Sequence, residues 1–353
     1  MQQFHPSNTR GMIEMRCYQL KQWFYVKRPK GIVDREHYEL RESDFSPQLS
    51  KNEVLIKSEY ISVDPYMRIQ QAATHSWEPP HPLNTVQGAA VVAKVLESNN
   101  SNFQPGDWVT GYTGWQTHAI VHGNEIQTLD PEQADVKTAL GILGMPGRTA
   151  WFGLMEAGKP KPGETVLVSG AAGAVGSLVT QFAIKAGCRV VAIAGSEEKC
   201  EWLKTLGVVE ALNYKAFSSA PQLQTKLLEL GGIDVYFDNV GGMVSDAALT
   251  SLNLRARVVV CGQISQYNGG LDTPEMSPRF LHQLLYKRAS VHGILARDFT
   301  HRMAEMIEHV APWVKAGEIQ FRTTEVNGFE YLPDTLAGLF EGQNIGKAIV
   351  RVV

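Results

Sequence analysis

Residues 163–199 read GETVLVSGAAGAVGSLVTQFAIKAGCRVVAIAGSEEK, and this order of apolar run, glycine-rich turn, helical spacing and second apolar run decides the fold. Thr165 to Ser169 is a short β-branched run closed by Gly170, after which Leu178, Phe182 and Ala186 recur at helical spacing. Arg189 to Ala194 supplies the next strand, so the stretch predicts half of a doubly wound α/β unit. The turn itself, Ala171-Ala172-Gly173-Ala174-Val175-Gly176, has no side chain or only a methyl at five of its six positions. A pyrophosphate can approach the backbone N–H groups at such a helix N-terminus, and Gly176 lets the helix lie close on the strand.

The hexapeptide AAGAVG falls short of the fuller G-x-G-x-x-G pattern, and taken alone it also fits a Gly/Ala-rich turn in any α/β domain. Context favours a dinucleotide. An Asp or Glu about 20 residues past the glycines would bind an adenosine ribose hydroxyl in an NAD site, whereas this strand ends on Gly195 and Ser196. With Lys199 following, the position has room and positive charge for a 2′-phosphate, which favours NADP(H) provided Glu197 and Glu198 turn away. An ordinary solvated lysine at a helix start is the other reading of Lys199.

At 353 residues the chain has room for two domains. Its 44% hydrophobic and 20% charged residues, with a formal charge of -3, are those of a globular protein and give no basic footprint for nucleic acid. Cys17, Cys188, Cys200 and Cys261 form no C-x-x-C pair, and their sparse spacing fits a reducing, cytoplasmic setting better than a disulfide framework. The first 16 residues are polar and are expected to be a flexible tail, and no apolar stretch approaches the roughly 20 residues of a membrane helix.

From Cys17 to about Leu140 the chain carries short strand signals at Glu53–Glu59, Ala89–Leu96 and Asp107–Gly111, which predict a β-rich unit. The aperiodic, Pro- and His-containing run from Gln70 to Val86 is expected to be a loop that lids a ligand. GILGMPGRTAWFGL, residues 141–154, is expected to form a helix leading out of this unit. Beyond the glycine-rich turn, Ile233–Phe237, Val258–Cys261 and Ala289–Ile294 predict buried parallel strands. Phe299 to Lys315 has helical spacing, and Lys347 to Val353 is expected to add a strand to the first unit's sheet.

The motifs together resemble the medium-chain dehydrogenase/reductase superfamily, and within it the zinc-free NADPH-dependent double-bond reductases that act on prostaglandins, leukotrienes and curcumin. They are SVDPYMR (62–68), GDWVTGYTGWQ (106–116), LGMPGRTAWFGL (143–154), SGAAGAVGS (169–177), YFDNVGG (236–242), CGQISQYN (261–268) and NIGKAIVRV (344–352). The resemblance implies an α/β fold: a GroES-like, β-rich catalytic domain (17–142, completed by 317–353) around a Rossmann doubly wound parallel-sheet domain (143–316), and a homodimer. Zinc alcohol dehydrogenases need Cys and His ligands, and their G-H-E segment falls where this chain reads Gly88-Ala89-Ala90. No metal is therefore expected, and His75, His81 and His118 read as surface or pocket histidines.

The implied chemistry is hydride delivery from NADPH to the β-carbon of an α,β-unsaturated ketone or aldehyde, in which the protein must orient the enone and the enolate is stabilised by a tyrosine and the cofactor ribose. Tyr66 is the first candidate donor and Tyr267 the second, because a phenol of pKa about 10 is a neutral hydrogen-bond donor at neutral pH. Packing at the domain interface and shaping of the pocket wall are their structural alternatives. For the cofactor, the resemblance implies Ala172, Gly173, Ala174, Val175 and Gly176 at the pyrophosphate, and Gly195, Ser196, Lys199 and Tyr214 at the 2′-phosphate and ribose. It also implies Asn239, Val240, Cys261, Gly262, Tyr267 and Asn344 along the diphosphate and nicotinamide, with Met145, Pro146 and Thr149 beside the nicotinamide. Trp77, Trp115 and Trp151 are candidates for an aromatic substrate pocket, against a default of core packing. A diarylheptanoid enone is one expected substrate. Quinone reduction and non-catalytic nucleotide sensing are the competing functions.

Overall fold

The computed structural model describes residues 16–73, 76–269, 273 and 275–353, so the expected tail and His75 lie outside the described residues. The first part of the chain is built of strands β1 (Tyr18–Tyr25), β2 (Tyr38–Phe45), β3 (Glu53–Ser62), β4 (Thr85–Val86), β5 (Ala90–Ser98), β6 (Trp108–Tyr112), β7 (His118–His122) and β8 (Ile126–Leu129), with helix α1 (Tyr66–Gln70) after β3. Next come α2 (Met145–Phe152), β9 (Thr165–Val168), α3 (Gly176–Lys185), β10 (Arg189–Ala194), α4 (Glu197–Thr205), β11 (Glu210–Asn213) and α5 (Ala220–Glu229). They are followed by β12 (Ile233–Asp238), α6 (Gly242–Leu249), β13 (Leu252–Val260), α7 (Leu281–Lys287), β14 (Ser290–Gly293) and α8 (Met303–Lys315). The chain ends with β15 (Thr323–Asn327), α9 (Leu332–Phe340) and β16 (Lys347–Arg351).

Among the described residues the middle strands form a six-stranded, all-parallel sheet in the order β11-β10-β9-β12-β13-β14. The order reverses between β9 and β12, which opens a crevice at the C-terminal ends of these strands. The sheet is apolar on both faces: Val166, Val168 and Phe237 pack on one side with Phe182, while Leu167, Val191 and Tyr236 pack on the other with Leu223. Near-continuous Val, Ile and Leu runs follow from that double coverage. The second large sheet runs β15-β16-β3-β5-β6-β8, with β7 also on β3, and a smaller sheet joins β2, β1 and β4. Strand β16 lies antiparallel to β3, so the end of the chain returns to the β-rich unit next to the segment that carries Tyr66.

Several expected elements are placed differently. The helix expected over 141–154 begins only at Met145, because its N-cap Gly144 is extended and folds back so tightly that a Cβ would stand 2.0 Å from the Ala139 carbonyl; inside the helix, Gly147 lies as close to the Ile142 carbonyl, at 1.8 Å. The helix expected from Phe299 starts at Met303, after a 3-10 turn over Ala296–Arg302. The expected loop from Gln70 to Val86 ends in strand β4, which pairs with β1. Trp115 and Trp151 are core residues, the first against Tyr38 and the second against Phe182 and Trp313, so they do not line a substrate pocket.

Candidate active site

The glycine-rich turn brings α3 tightly onto the end of β9. A Cβ on Gly176 would meet the Gly170 carbonyl oxygen at 2.3 Å and the Ala171 Cα at 2.8 Å, so only glycine allows α3 to start this close to β9. Gly170 sits at φ +58°, the left-handed region glycine favours, and α3 begins without a side-chain cap. An uncapped helix N-terminus with its backbone open is the arrangement that takes an anion.

The ends of β10 and β11 bring Gly195, Ser196, Lys199 and Tyr214 together. A Cβ on Gly195 would stand 3.0 Å from the Tyr214 ring and 3.7 Å from Lys215, and the Ser196 hydroxyl caps α4 by accepting from the Lys199 N–H. Burial and then the neighbouring Lys215 push the Lys199 ammonium down from its usual range, against Glu198. Such a pair of cations gains from an anion between them. Glu197 accepts from Asn213 at 2.8 Å, and so is occupied at that strand end. Lys215 was not picked out from the sequence, where it sits in a 3-10 turn with no periodic signal.

At the end of β12, the buried Asp238 carboxylate accepts from Ser169 and Ser245, from Tyr236, and from the N–H groups of Val240 and Gly241. This fan of donors fixes Asn239, whose amide donates to the Ser169 carbonyl at 2.7 Å. Gly170 faces Val240 and Asn239, and Gly241 faces Gln263, so the turns after β9, β12 and β13 meet. There the Tyr267 hydroxyl accepts the Gln263 N–H at 3.0 Å beside Gly262, and its own proton stays available to a further acceptor. Burial pushes the Tyr267 phenol up to about 12 and the Cys261 thiol up to about 12, which leaves both protonated at neutral pH. Near the domain junction, the Thr149 hydroxyl turns back onto the Met145 carbonyl at 2.8 Å, with Pro146 buried at the helix start.

A strap from the C-terminal segment crosses this crevice. The Gly346 N–H donates to the Ala172 carbonyl at 2.7 Å, Lys199 Nζ donates to the Gly342 carbonyl at 2.6 Å, and the Asn344 amide donates to Gly346 at 2.8 Å. Residues far apart in sequence are thereby gathered about the glycine-rich turn.

Tyr66 lies on the other side, on α1, where its hydroxyl meets that of Tyr112 at 3.4 Å. Burial first, and then Tyr112, push the Tyr66 phenol well above its usual value. Next to Tyr112 is a cavity of about 240 Å³ lined by Gln70, Glu78, Pro79, His81, Pro82 and Gly88. The expected lid thus contributes most of its wall. The Arg297 guanidinium reaches over from the Rossmann side to the Trp77 carbonyl at 2.5 Å and to Glu78 at 3.5 Å. Tyr66 and Tyr267 are not bonded to one another. Near them in the chain, Arg68 donates to the Gly31 carbonyl at 3.0 Å, and a Cβ on Gly31 would stand 3.8 Å from the Asn268 carbonyl. Tyr112, Lys215 and Arg297 are the site residues sequence reasoning missed; Tyr112 alone carried a signal, within GDWVTGYTGWQ.

The histidines are otherwise engaged: His81 with the Val86 carbonyl and Thr85, His118 with Thr117. Among the described residues one cluster, Asp34, Glu36 and His37, has metal-ligand spacing, and a capping turn accounts for it.

Two family profiles match the chain, one described as the N-terminal domain of oxidoreductase over residues 21–129 and one as zinc-binding dehydrogenase over residues 174–312. The NADPH-dependent curcumin reductase of Escherichia coli is 39% identical over 94% of this chain and 96% of its own length. Prostaglandin reductase 1 of Bos taurus is 39% identical over 94% and 98%. The crystal structure of CurA from Vibrio vulnificus in complex with NADPH superposes with a TM-score of 0.87 at 40% identity, covering 94% of this chain and 99% of that one. With the strand order, the glycine-rich turn and these relatives in agreement, the chain belongs to the medium-chain dehydrogenase/reductase superfamily, in the group of the curcumin and prostaglandin reductases.

Proposed function

We propose that this protein reduces the C=C bond of α,β-unsaturated ketones and aldehydes. NADPH is the cofactor, in keeping with the named dependence of its relatives and with the Lys199 and Lys215 pair at the strand end. NADPH, when bound, would supply the hydride for the β-carbon and a ribose hydroxyl that shares with a tyrosine the stabilisation of the enolate. The glycine-rich turn, Asn239 and the strap around Asn344 hold the cofactor, and the lid and Tyr112 orient the enone against it. As the alkene accepts hydride, charge develops on the carbonyl oxygen, and Tyr66 donates a hydrogen bond there, with Tyr267 as the alternative donor. The enolate then takes a proton from solvent at its α-carbon, which completes the saturated carbonyl product. Both phenols remain protonated through the neutral range, so each is a donor without any proton first being lost. Polarisation of the carbonyl falls to a phenol together with the cofactor ribose and needs no metal.

The observation that carries this reading is the Tyr66 phenol, raised in pKa and paired with Tyr112 beside the lidded cavity. A panel of enones, enals and quinones with NADPH, followed by mass spectrometry of the products, tests it. Enones gaining two hydrogens with the carbonyl retained is the expected result. Reduction at C=O, or turnover of quinones alone, would refute it.

The domain limits at residues 142/143 and 316/317 and a cytoplasmic setting are part of the same proposal; among the described residues no helix is long and apolar enough to cross a membrane. So is a homodimer. Strand β14 is one of the two outer strands of its sheet, and α7, which packs on the adjacent β13, exposes Leu281, Leu285 and Tyr286. A monomeric mass by light scattering at micromolar concentration would remove it.

A further inference from the structure

Lys347 is almost completely buried, at 1% exposure, one residue beyond the glycine that contacts the cofactor turn. Its ammonium meets Asp64 at 3.0 Å and donates to the Val63 carbonyl at 2.7 Å and the Ala348 carbonyl at 2.8 Å. All three of its protons are thus used. Asp64 is also buried, accepts from the Ser62 hydroxyl, and through its own carbonyl accepts the Met67 N–H at 3.2 Å, so it forms the corner from which α1 and Tyr66 emerge. On its other side the same strap is fixed by Gly346, whose N–H donates to Ala172 and whose φ of +70° leaves no room for a side chain against the Arg322 carbonyl.

A buried ion pair is weak evidence for stability, since well-packed apolar residues of similar volume often replace it without loss. Its distinct property is geometry. Three directed bonds fix where the Val63-Asp64 corner lies relative to β16, and β16 is the continuation of the strap that rests on the phosphate turn. A shift of about 1 Å in a reacting group costs up to about a hundredfold in rate, so a device that sets this spacing bears on the chemical step.

We infer that Lys347 is a positioning residue, which through Asp64 sets the Tyr66 hydroxyl at its working distance from the cofactor turn. The inference rests on the reading of Tyr66 as the enolate donor. Lys347→Met alone strands a buried carboxylate, so the test uses the paired variant Asp64→Asn/Lys347→Met, in which no lone charge remains. Three quantities are measured in the full-length protein: NADPH affinity, single-turnover hydride transfer to a slow enone, and amide hydrogen exchange of peptides covering residues 60–70. The expected result is NADPH affinity within about twofold of the parent, hydride transfer slower by about tenfold, and faster exchange at 60–70 only. Adding Tyr66→Phe to the paired variant should cost little more, because the donor is already misplaced; full additivity would mark a merely structural effect. A folded paired variant with parental hydride transfer, or with unchanged exchange at 60–70, overturns the inference. Should the parent protein fail to reduce enones at all, the functional reading falls, and the exchange result alone still decides whether Lys347 fixes this corner.

Discussion

The turn at Ser169–Gly176 and the described residues of the segment Gln70–Val86 are made in opposite ways. In the turn, position is set by what is missing: no side chain fits at Gly176, and the flanking strand and helix are fixed by fully buried apolar neighbours. In the lid, position is set by a few long-range polar bonds. Arg28 donates to the carbonyls of Gln71, Ala72 and His81, Gln70 donates to Glu78, and Arg297 reaches Trp77 from another domain. Steric rules tolerate no compromise, whereas polar bonds that are only part-buried, or exposed as at Arg297, exchange with water more readily than packed atoms rearrange. The turn is therefore suited to a ligand that never varies, and the lid to ligands that do.

The largest effect should come from the sterically determined side. Gly176→Val puts its Cβ 2.3 Å from a backbone carbonyl that cannot rotate away, in the turn proposed to hold the phosphate. NADPH affinity measured by fluorescence titration should fall by about a hundredfold or more, about 2.7 kcal/mol, and thermal stability should fall with it. Binding at parental strength would mean that the turn deforms as easily as the lid, and the contrast would be lost.

A smaller effect is expected one strand further out, where the turn's shape no longer decides and charge does. Lys199→Glu should weaken NADPH by about tenfold or more and leave NADH within about threefold, compared by Michaelis constants at one ionic strength. Equal losses on both cofactors would show that Lys199 serves only the Gly342 carbonyl it already reaches.

The same division explains how much could be read in the sequence. Strands β9, β10 and β12 and helix α3 were legible because burial on both faces writes itself as apolar runs and helical spacing. Strands β1 and β2 were not. Much of β2 is exposed, and YELRESDF shows no clean alternation. In the site, glycine and the absent carboxylate at Gly195-Ser196 were local signals. Tyr66 and Tyr267 were picked out only through motif resemblance, and Lys215, Arg297 and Lys347 gained their places from partners that no helix or strand period relates to them, 220 residues away for Arg297 and 284 for Lys347. No window on the sequence spans such distances.

Between the two regions stand the tyrosines, and they sharpen the comparison. Tyr66→Phe should slow single-turnover hydride transfer to a chemistry-limited enone by about tenfold, with NADPH affinity nearly unchanged, while Tyr267→Phe does less. Because burial raises both phenols, the parent rate should stay level from neutral pH to about 9 as far as these groups are concerned. The reverse ranking would move the donor to the cofactor side, onto the tyrosine held by Gln263. Parental rates in both variants and in their combination would return both residues to packing.

The smallest effect belongs to the lid, at Arg297. Its guanidinium is about half exposed and its ion pair with Glu78 spans 3.5 Å, a class of contact worth no more than about 1 kcal/mol. The bond to the Trp77 carbonyl adds direction to it. Arg297→Ala frees the lid from the Rossmann side while Gln70 and Arg28 still hold its base. The Michaelis constant for an enone should therefore rise by about threefold, with turnover and NADPH affinity close to parental. Salt offers an independent check. Raising ionic strength toward 1 M, where the Debye length is about 3 Å, should move the parent toward the variant and leave the variant where it is. A bulky enone should lose less than a small one, because a lid that opens more easily costs most where few contacts hold the substrate. Were Arg297→Ala instead as damaging as Gly176→Val, the lid would be part of the rigid frame, and the difference between the two regions would be one of sequence alone.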